Sequence, residues 1–208
     1  MTIDRFFCVA ALYGMALASP ASAQEVSKEV KVDVKKVEIG AQNTPQFTAS
    51  NVKDKRWNPK VWLEVDVGFG LKKARVTGQN SPMVDSLDFK FYVVLNKTDK
   101  AGKRIMLTAS VTYLNASEDD RESHAMVFAS PAALARVLEN PRFTAADITP
   151  VAYAVEVYKG GALAGGASSG AAGKWWESDT VSAMDGVLLP KVKTPFAPLW
   201  GDYDLETK

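Results

Sequence analysis

The chain offers one imidazole, His124, and one thiol, Cys8. A histidine-based metal site or a catalytic triad would have to rest on His124 alone, so it reads as an ordinary strand-end histidine. Cys8 lies in an apolar N-terminal stretch that is expected to be removed, which leaves no thiolate nucleophile, no cysteine-ligated metal and no disulfide. Glu64, Asp66, Asp88, Glu156 and Glu177 are of the type that works in pairs in glycosidases, yet no spacing singles out two of them. Glu118, Asp119, Asp120 and Glu122 carry the oxygens calcium takes, but without the spacing of a dedicated loop they read as a solvated acidic turn. Gly170 to Lys174 approximates a phosphate-binding loop. Ser168 stands at its first glycine position, however, and Trp175 where a Ser or Thr must hold magnesium, so a linker is the better reading. The expectation is a protein that is not an enzyme and has neither cofactor nor metal.

Aromatic residues are the more informative chemistry. Trp175 and Trp176 are adjacent, and on a strand they would face opposite sides, leaving one exposed. A large, rigid, amphipathic ring stacks on a sugar or anchors a partner protein. The alternative is that such rings cap the ends of a core. The segment from Leu188 through Phe196 to Trp200 is apolar and proline-rich with neither helical nor strand period. It most simply drapes over the domain, and the competing reading is an extended element that adds to a neighbour's sheet edge. Trp175, Trp176, Trp200 and Phe196 are therefore the candidate contacts for a protein partner or a glycan.

The elements that must position these residues begin after the N-terminus. Arg5, the apolar run from Phe6 to Ala18 and the small residues Ala21, Ser22 and Ala23 have the order of a secretory signal peptide, 1–23, with cleavage after Ala23. The apolar run is shorter than the ~20 residues of a membrane-spanning helix, so no membrane span is expected after cleavage. Residues 24–208 have the length of one domain able to bury a core unaided. Lysine and arginine together number 25 against 24 for aspartate and glutamate, and this balance gives no reason to expect a nucleic-acid partner.

Alternation of apolar and polar residues dominates that domain and marks strands with one face on a core. Val30, Val32 and Val34 alternate with charges, Lys35 and Lys36 shift the phase, and Val37 and Ile39 resume it, which predicts a bulge or a sheet switch. Val61, Leu63, Val65, Val67 and Phe69 share one strand face, with Trp62, Glu64 and Asp66 on the other. Leu87 to Leu95 and Ile105 to Tyr113 predict a hairpin around a polar turn. Ala125 to Phe128 predicts a short strand, and Ser130 with Pro131 then starts a short helix ending near Asn140. Val151 to Val157 and Ala162 to Ala167 predict a second hairpin turning at Lys159 to Gly161, and the glycine-rich remainder up to Gly173 reads as a loop. About seven strands at this spacing, with no alternating strand-helix units, predict an all-β, immunoglobulin-like two-sheet sandwich with an irregular C-terminal segment. Tyr153 stands where such folds place a tyrosine corner. An outer-membrane barrel is the rival, disfavoured by charges on the face that would meet lipid.

The stretches RWNPKVWLEVDV (56–67), VAYAVEVYKGGALAGG (151–166) and TPFAPLWGDYD (194–204) resemble an exported immunoglobulin-like family of Akkermansia-like Verrucomicrobia encoded beside type IV pilus genes. The resemblance implies a cell-envelope role in the periplasm or at the outer surface, with pilus or secretion components as partners, and carries over no catalytic or binding residue. A non-enzymatic envelope interaction protein is the expectation, with a glycan-binding module as the alternative.

Overall fold

A computed structural model describes residues 25–53, 55–74, 81–170 and 173–208. The expected signal peptide and its cleavage point lie outside the described residues. Nine strands and one short helix are present among those described: β1 Val30–Asn43, β2 Val61–Lys73, β3 Met83–Thr98, β4 Arg104–Ser117, β5 Ser123–Ala129, α1 Pro131–Leu138, β6 Pro150–Lys159, β7 Ala162–Ser168, β8 Val181–Asp185 and β9 Leu188–Pro190. They form two open sheets packed as a sandwich, one in the order β1-β2-β5-β9 and the other β7-β6-β3-β4-β8. The run β1-β2-β5 is the A-B-E order of an immunoglobulin sandwich, and β7-β6-β3-β4 is G-F-C-C′. The place beside E that strand D usually fills is taken by β9, supplied from the C-terminal part of the chain.

Local sequence explains most of these elements. The phase shift at Lys35 is a bulge, where the β1–β2 register slips between Val34 and Lys36. Sheet switching occurs earlier: Val26 bridges Leu163 of β7 in the second sheet, and by Val30 the chain has joined β2 in the first. The β3–β4 hairpin closes on Asp99, whose carboxylate accepts from the backbone N–H groups of Ala101 and Lys103. Gly160 and Gly161, both at positive φ, make the turn between β6 and β7, and β7 continues to Ser168, further than the expected pairing. Ser130 caps α1 by accepting from the Ala133 N–H at 3.2 Å, and the helix stops where Glu139 turns left-handed.

Side chains at alternate positions of the two inner faces fill the core. Phe89 lies 5.1 Å from Phe69 of the opposite sheet and 5.2 Å from Tyr113, ring centre to ring centre. Tyr113 is fully buried, and its hydroxyl crosses the core to donate to the Met126 carbonyl of β5 at 2.8 Å. Burial raises its pKa well above the usual value. Tyr153, by contrast, is half-buried on β6, so the buried tyrosine tied to backbone is on β4.

Candidate functional site

The outer face of the β1-β2-β5-β9 sheet is covered over β2 and β5, where Trp62, Asp66, Met126 and Phe128 are buried. Past β9 the chain makes a 3-10 turn at Lys191–Lys193, and a strap from Thr194 to Asp204 returns along β5. Phe196 is an interior residue of this cover, stacked on Phe128 at 4.5 Å and edge-on to Trp62 at 5.6 Å. It is therefore not a surface contact. Lys191 forms a buried ion pair with Asp204 and donates to the Trp200 carbonyl at 3.2 Å, which ties the two ends of the strap together. Tyr203 donates to Oδ2 of Asp66 at 2.7 Å, while Nδ1 of His124 lies 2.9 Å from Oδ1 of the same carboxylate. The Tyr203 ring stacks on His124 at 4.0 Å. His124 is thus a tether between sheet and strap, and Asp66 is a carboxylate with both oxygens engaged. Burial and the Asp66 charge push the Tyr203 hydroxyl pKa up.

Between strap and sheet a recess of about 240 Å³ remains, lined by Glu38, Gln42, Glu64, Asp66, Met126, Trp200 and Tyr203. Burial, then the Asp66 charge, raise the Glu64 pKa from 4.5 to about 6, partly offset by Gln42. Glu64 Oε2 is occluded and has no hydrogen-bond partner among the described residues.

The outer face of the other sheet carries a different arrangement. Trp175 and Trp176 lie not on a strand but in a 3-10 turn, with their rings perpendicular at 5.4 Å. Both are half-buried. Trp176 stacks on Tyr92 of β3 at 5.8 Å, and Trp175 Nε1 donates to the Ser169 carbonyl at 2.9 Å. Lys174 pairs with Glu156 and Glu177, each at 2.9 Å, so the apparent phosphate-loop lysine is neutralised by carboxylates. These hydrogen bonds and charges hold its pKa above the usual value. Burial pushes Glu156 up but is outweighed by Lys174, Tyr158 and Tyr92, so its pKa is lowered. On one side of Trp176 a second recess is lined by Lys90, Tyr92, Thr108, Ser110, Ala183 and Asp185.

The remaining feature is a strand edge. β8 pairs with β4 in parallel and ends its sheet. The other edges are blunted in recognisable ways. β1 alternates charges along its length and carries the bulge. β9 has three residues and ends in Pro190. β7 is engaged at Leu163 by Glu25 and Ser27, and a Cβ on Gly165 would lie 2.1 Å from the Val32 carbonyl oxygen, so β1 walls it. Neither the edge role of β8 nor the strap's cover was visible in residue types. Glycines at the outward positions 68 and 70 of β2 mark a different close approach, that of the β4–β5 turn: a Cβ on Gly68 would sit 2.2 Å from Glu122 Oε1.

Among the described residues no group of three or more His, Cys, Asp or Glu could hold a metal ion, and no helix is long and apolar enough to cross a membrane. Trp175, Trp176 and Trp200 remain partly accessible, but Trp200 lies on the strap while the other two lie on the opposite sheet.

A protein-family model matches residues 23–208. The chain belongs to that family. No curated protein matches it. Among solved structures it is similar to a crystal structure of a protein from Akkermansia muciniphila, with a TM-score of 0.72 and 24% identity, covering 86% of this chain and 94% of that one. At that identity the likeness is one of fold, and it extends over nearly the whole sandwich.

Proposed function

We propose that this chain is a non-enzymatic interaction protein of the cell envelope, exported by its N-terminal segment and working beside type IV pilus or secretion machinery in the periplasm or at the outer surface. The edge of β8, which has no further strand beside it among the described residues, is the observation that carries the reading. In a parallel ladder alternate residues point their backbone groups to opposite sides. The Arg104 N–H bonds the Thr180 carbonyl at 3.0 Å, so Val181, Ala183 and Asp185 point away from β4; the Val181 N–H is taken by the Ser178 carbonyl at 3.5 Å, and Ala183 and Asp185 face the open side. An extended partner segment adding there gains main-chain hydrogen bonds, and its alternate side chains reach the recess beside Trp176. The C-terminal segment, the other candidate for strand addition, is engaged in its own domain through β9 and the strap. The resemblance of residues 56–67, 151–166 and 194–204 to an exported family encoded beside pilus genes supports the setting.

The test is affinity capture from solubilised envelopes with the wild-type mature chain and with Ala183→Pro, which removes an outward N–H at an edge that tolerates proline. Retention of pilus or secretion subunits by wild type and their loss in the variant is the expected result. Capture of no such subunit counts against the setting, and equal capture by both counts against the edge.

A glycan-binding reading rests on a separate observation: Trp176 is stacked on Tyr92 beside the hydroxyl and charged groups of Lys90, Thr108, Ser110 and Asp185. A glycan array with wild type and Trp176→Ala decides it, since a sugar held on this ring is lost with the ring.

A further inference from the structure

Between β1 and β2 the chain leaves the sandwich as a loop with a closed neck. The Thr44 N–H donates to the Lys60 carbonyl at 2.9 Å, and the Thr44 hydroxyl accepts from the Lys60 N–H at 3.2 Å and from Trp62 Nε1 at 3.1 Å. Beyond that neck every described residue from Gln46 to Lys60 is exposed. Phe47 at 59%, Val52 at 64% and Trp57 at 46% are among them, three of the nine large hydrophobics exposed among the described residues. The same loop holds Lys53, Lys55, Arg56 and Lys60 against one acid, Asp54, a surplus of three positive charges in a chain whose whole surplus is one. None of the four cations makes an ion pair among the described residues. Apolar and cationic side chains share one concavity of about 610 Å³, lined by Phe47, Val52 and Trp57 together with Lys53, Lys55 and Arg56.

From this arrangement we infer that the β1–β2 loop is a docking surface for an anionic phospholipid membrane, with Phe47, Val52 and Trp57 entering the headgroup region and Lys53, Lys55, Arg56 and Lys60 meeting the lipid phosphates. An indole at a bilayer interface sets its apolar body toward the acyl boundary and its N–H among the headgroups, while long cationic side chains reach out to phosphate. Attachment of this kind grows with the apolar area buried and with attraction to anionic lipid, and the loop supplies both. Each Lys or Arg close to an anionic leaflet strengthens it roughly fivefold. A protein partner fits the surface less well, because interface cores are depleted in lysine and here the cations crowd the rings. The Thr44 and Lys60 neck fixes both ends of the loop on the sandwich, which lowers the ordering cost of docking. The loop joins two strands of the first sheet whereas β8 edges the second, and the inference does not rest on the β8 reading.

The experiment is co-sedimentation of the mature chain with vesicles of phosphatidylcholine alone and of phosphatidylcholine mixed with phosphatidylglycerol, with tryptophan emission recorded on the same samples. Binding to the mixed vesicles only, a blue shift of the emission, and release by high salt are expected. A variant combining Lys53→Gln, Lys55→Gln and Arg56→Gln should lose roughly a hundredfold in partitioning. The same change of net charge placed elsewhere, through Lys28→Gln, Lys31→Gln and Lys72→Gln, should leave partitioning within a few-fold of wild type. All six lysines and arginines are exposed, and unchanged thermal melts show that both variants fold. Trp57→Phe should bind as wild type does but without the blue shift, which places this ring at the interface. Ala183→Pro should bind vesicles as wild type does, which keeps this result separate from the edge reading. The inference is overturned if the chain sediments equally with neutral vesicles or with neither kind, or if the loop variant binds as wild type does or the control variant loses as much. It is equally overturned if inorganic polyphosphate binds while vesicles give no blue shift, which would make a soluble phosphate polymer the occupant.

Discussion

Lys191, in the turn that leads into the C-terminal strap, and Asp204, 13 residues later at the strap's far end, form an ion pair whose side chains are 5% and 8% exposed. The pair fastens the strap's two ends to each other, while Tyr203 and Phe196 fasten it to the sheet beneath. A buried pair of this kind contributes little over a well-packed apolar substitute, but removing one partner strands the other charge. Lys191→Met should therefore cost about 3–5 kcal/mol in chemical unfolding. The double variant Lys191→Met with Asp204→Leu should recover most of that loss. Equal losses in single and double variants would show that packing, not charge, dominates here.

Glu64 makes stability depend on pH. Its pKa in the folded chain is about 6 against an ordinary value of 4.5, so between those values the folded state binds more protons than the unfolded state. Stability contributed by this group is present below pH 4.5 and is lost as pH rises through 6. Because the group is partly exposed, screening reduces the effect to roughly 1 kcal/mol. Glu64→Gln should be more stable than wild type at pH 7 by about that amount, with the difference vanishing below pH 4.5. Unfolding curves at a series of pH values check it.

Backbone proximity at the sandwich edge gives a third prediction. Gly165 faces the Val32 carbonyl oxygen so closely that a Cβ would lie 2.1 Å from it, whereas nothing lies within 4 Å of one on Gly40. Gly165→Ala should lower stability by about 1–3 kcal/mol, as overpacking does. Gly40→Ala should leave it within about 0.5 kcal/mol. Thermal melts of the two variants side by side separate steric contact from glycine's backbone entropy.

Residues with near neighbours in sequence made the fold legible. Alternation from Leu87 to Tyr113 specified a hairpin because both strands bury the same face, and Ser130 with Pro131 specified a helix start through its own cap. The two-sheet sandwich follows from the number and spacing of such strands, whereas the strand order does not. What was not legible depends on contacts across most of the chain. Asp66 and Trp62 look solvent-facing by alternation, yet both are buried because Tyr203 and Phe196, more than 130 residues later, lie over them. Trp175 and Trp176 were placed on opposite faces by strand logic, but a 3-10 turn set the rings perpendicular instead. Phe196, apolar in a proline-rich segment, gives no sign in sequence of whether it is anchor or contact; packing against Trp62, Met126 and Phe128 makes it an anchor.

Whether β8 is where this protein meets an envelope partner can be read from a photo-crosslinking amino acid placed at Ala183 in the native cell. A protein adduct containing a pilus or secretion subunit is expected, absent when the crosslinker is moved to Lys31 on the charged edge of β1. Crosslinking only from Lys31, or no protein adduct from Ala183, would contradict it.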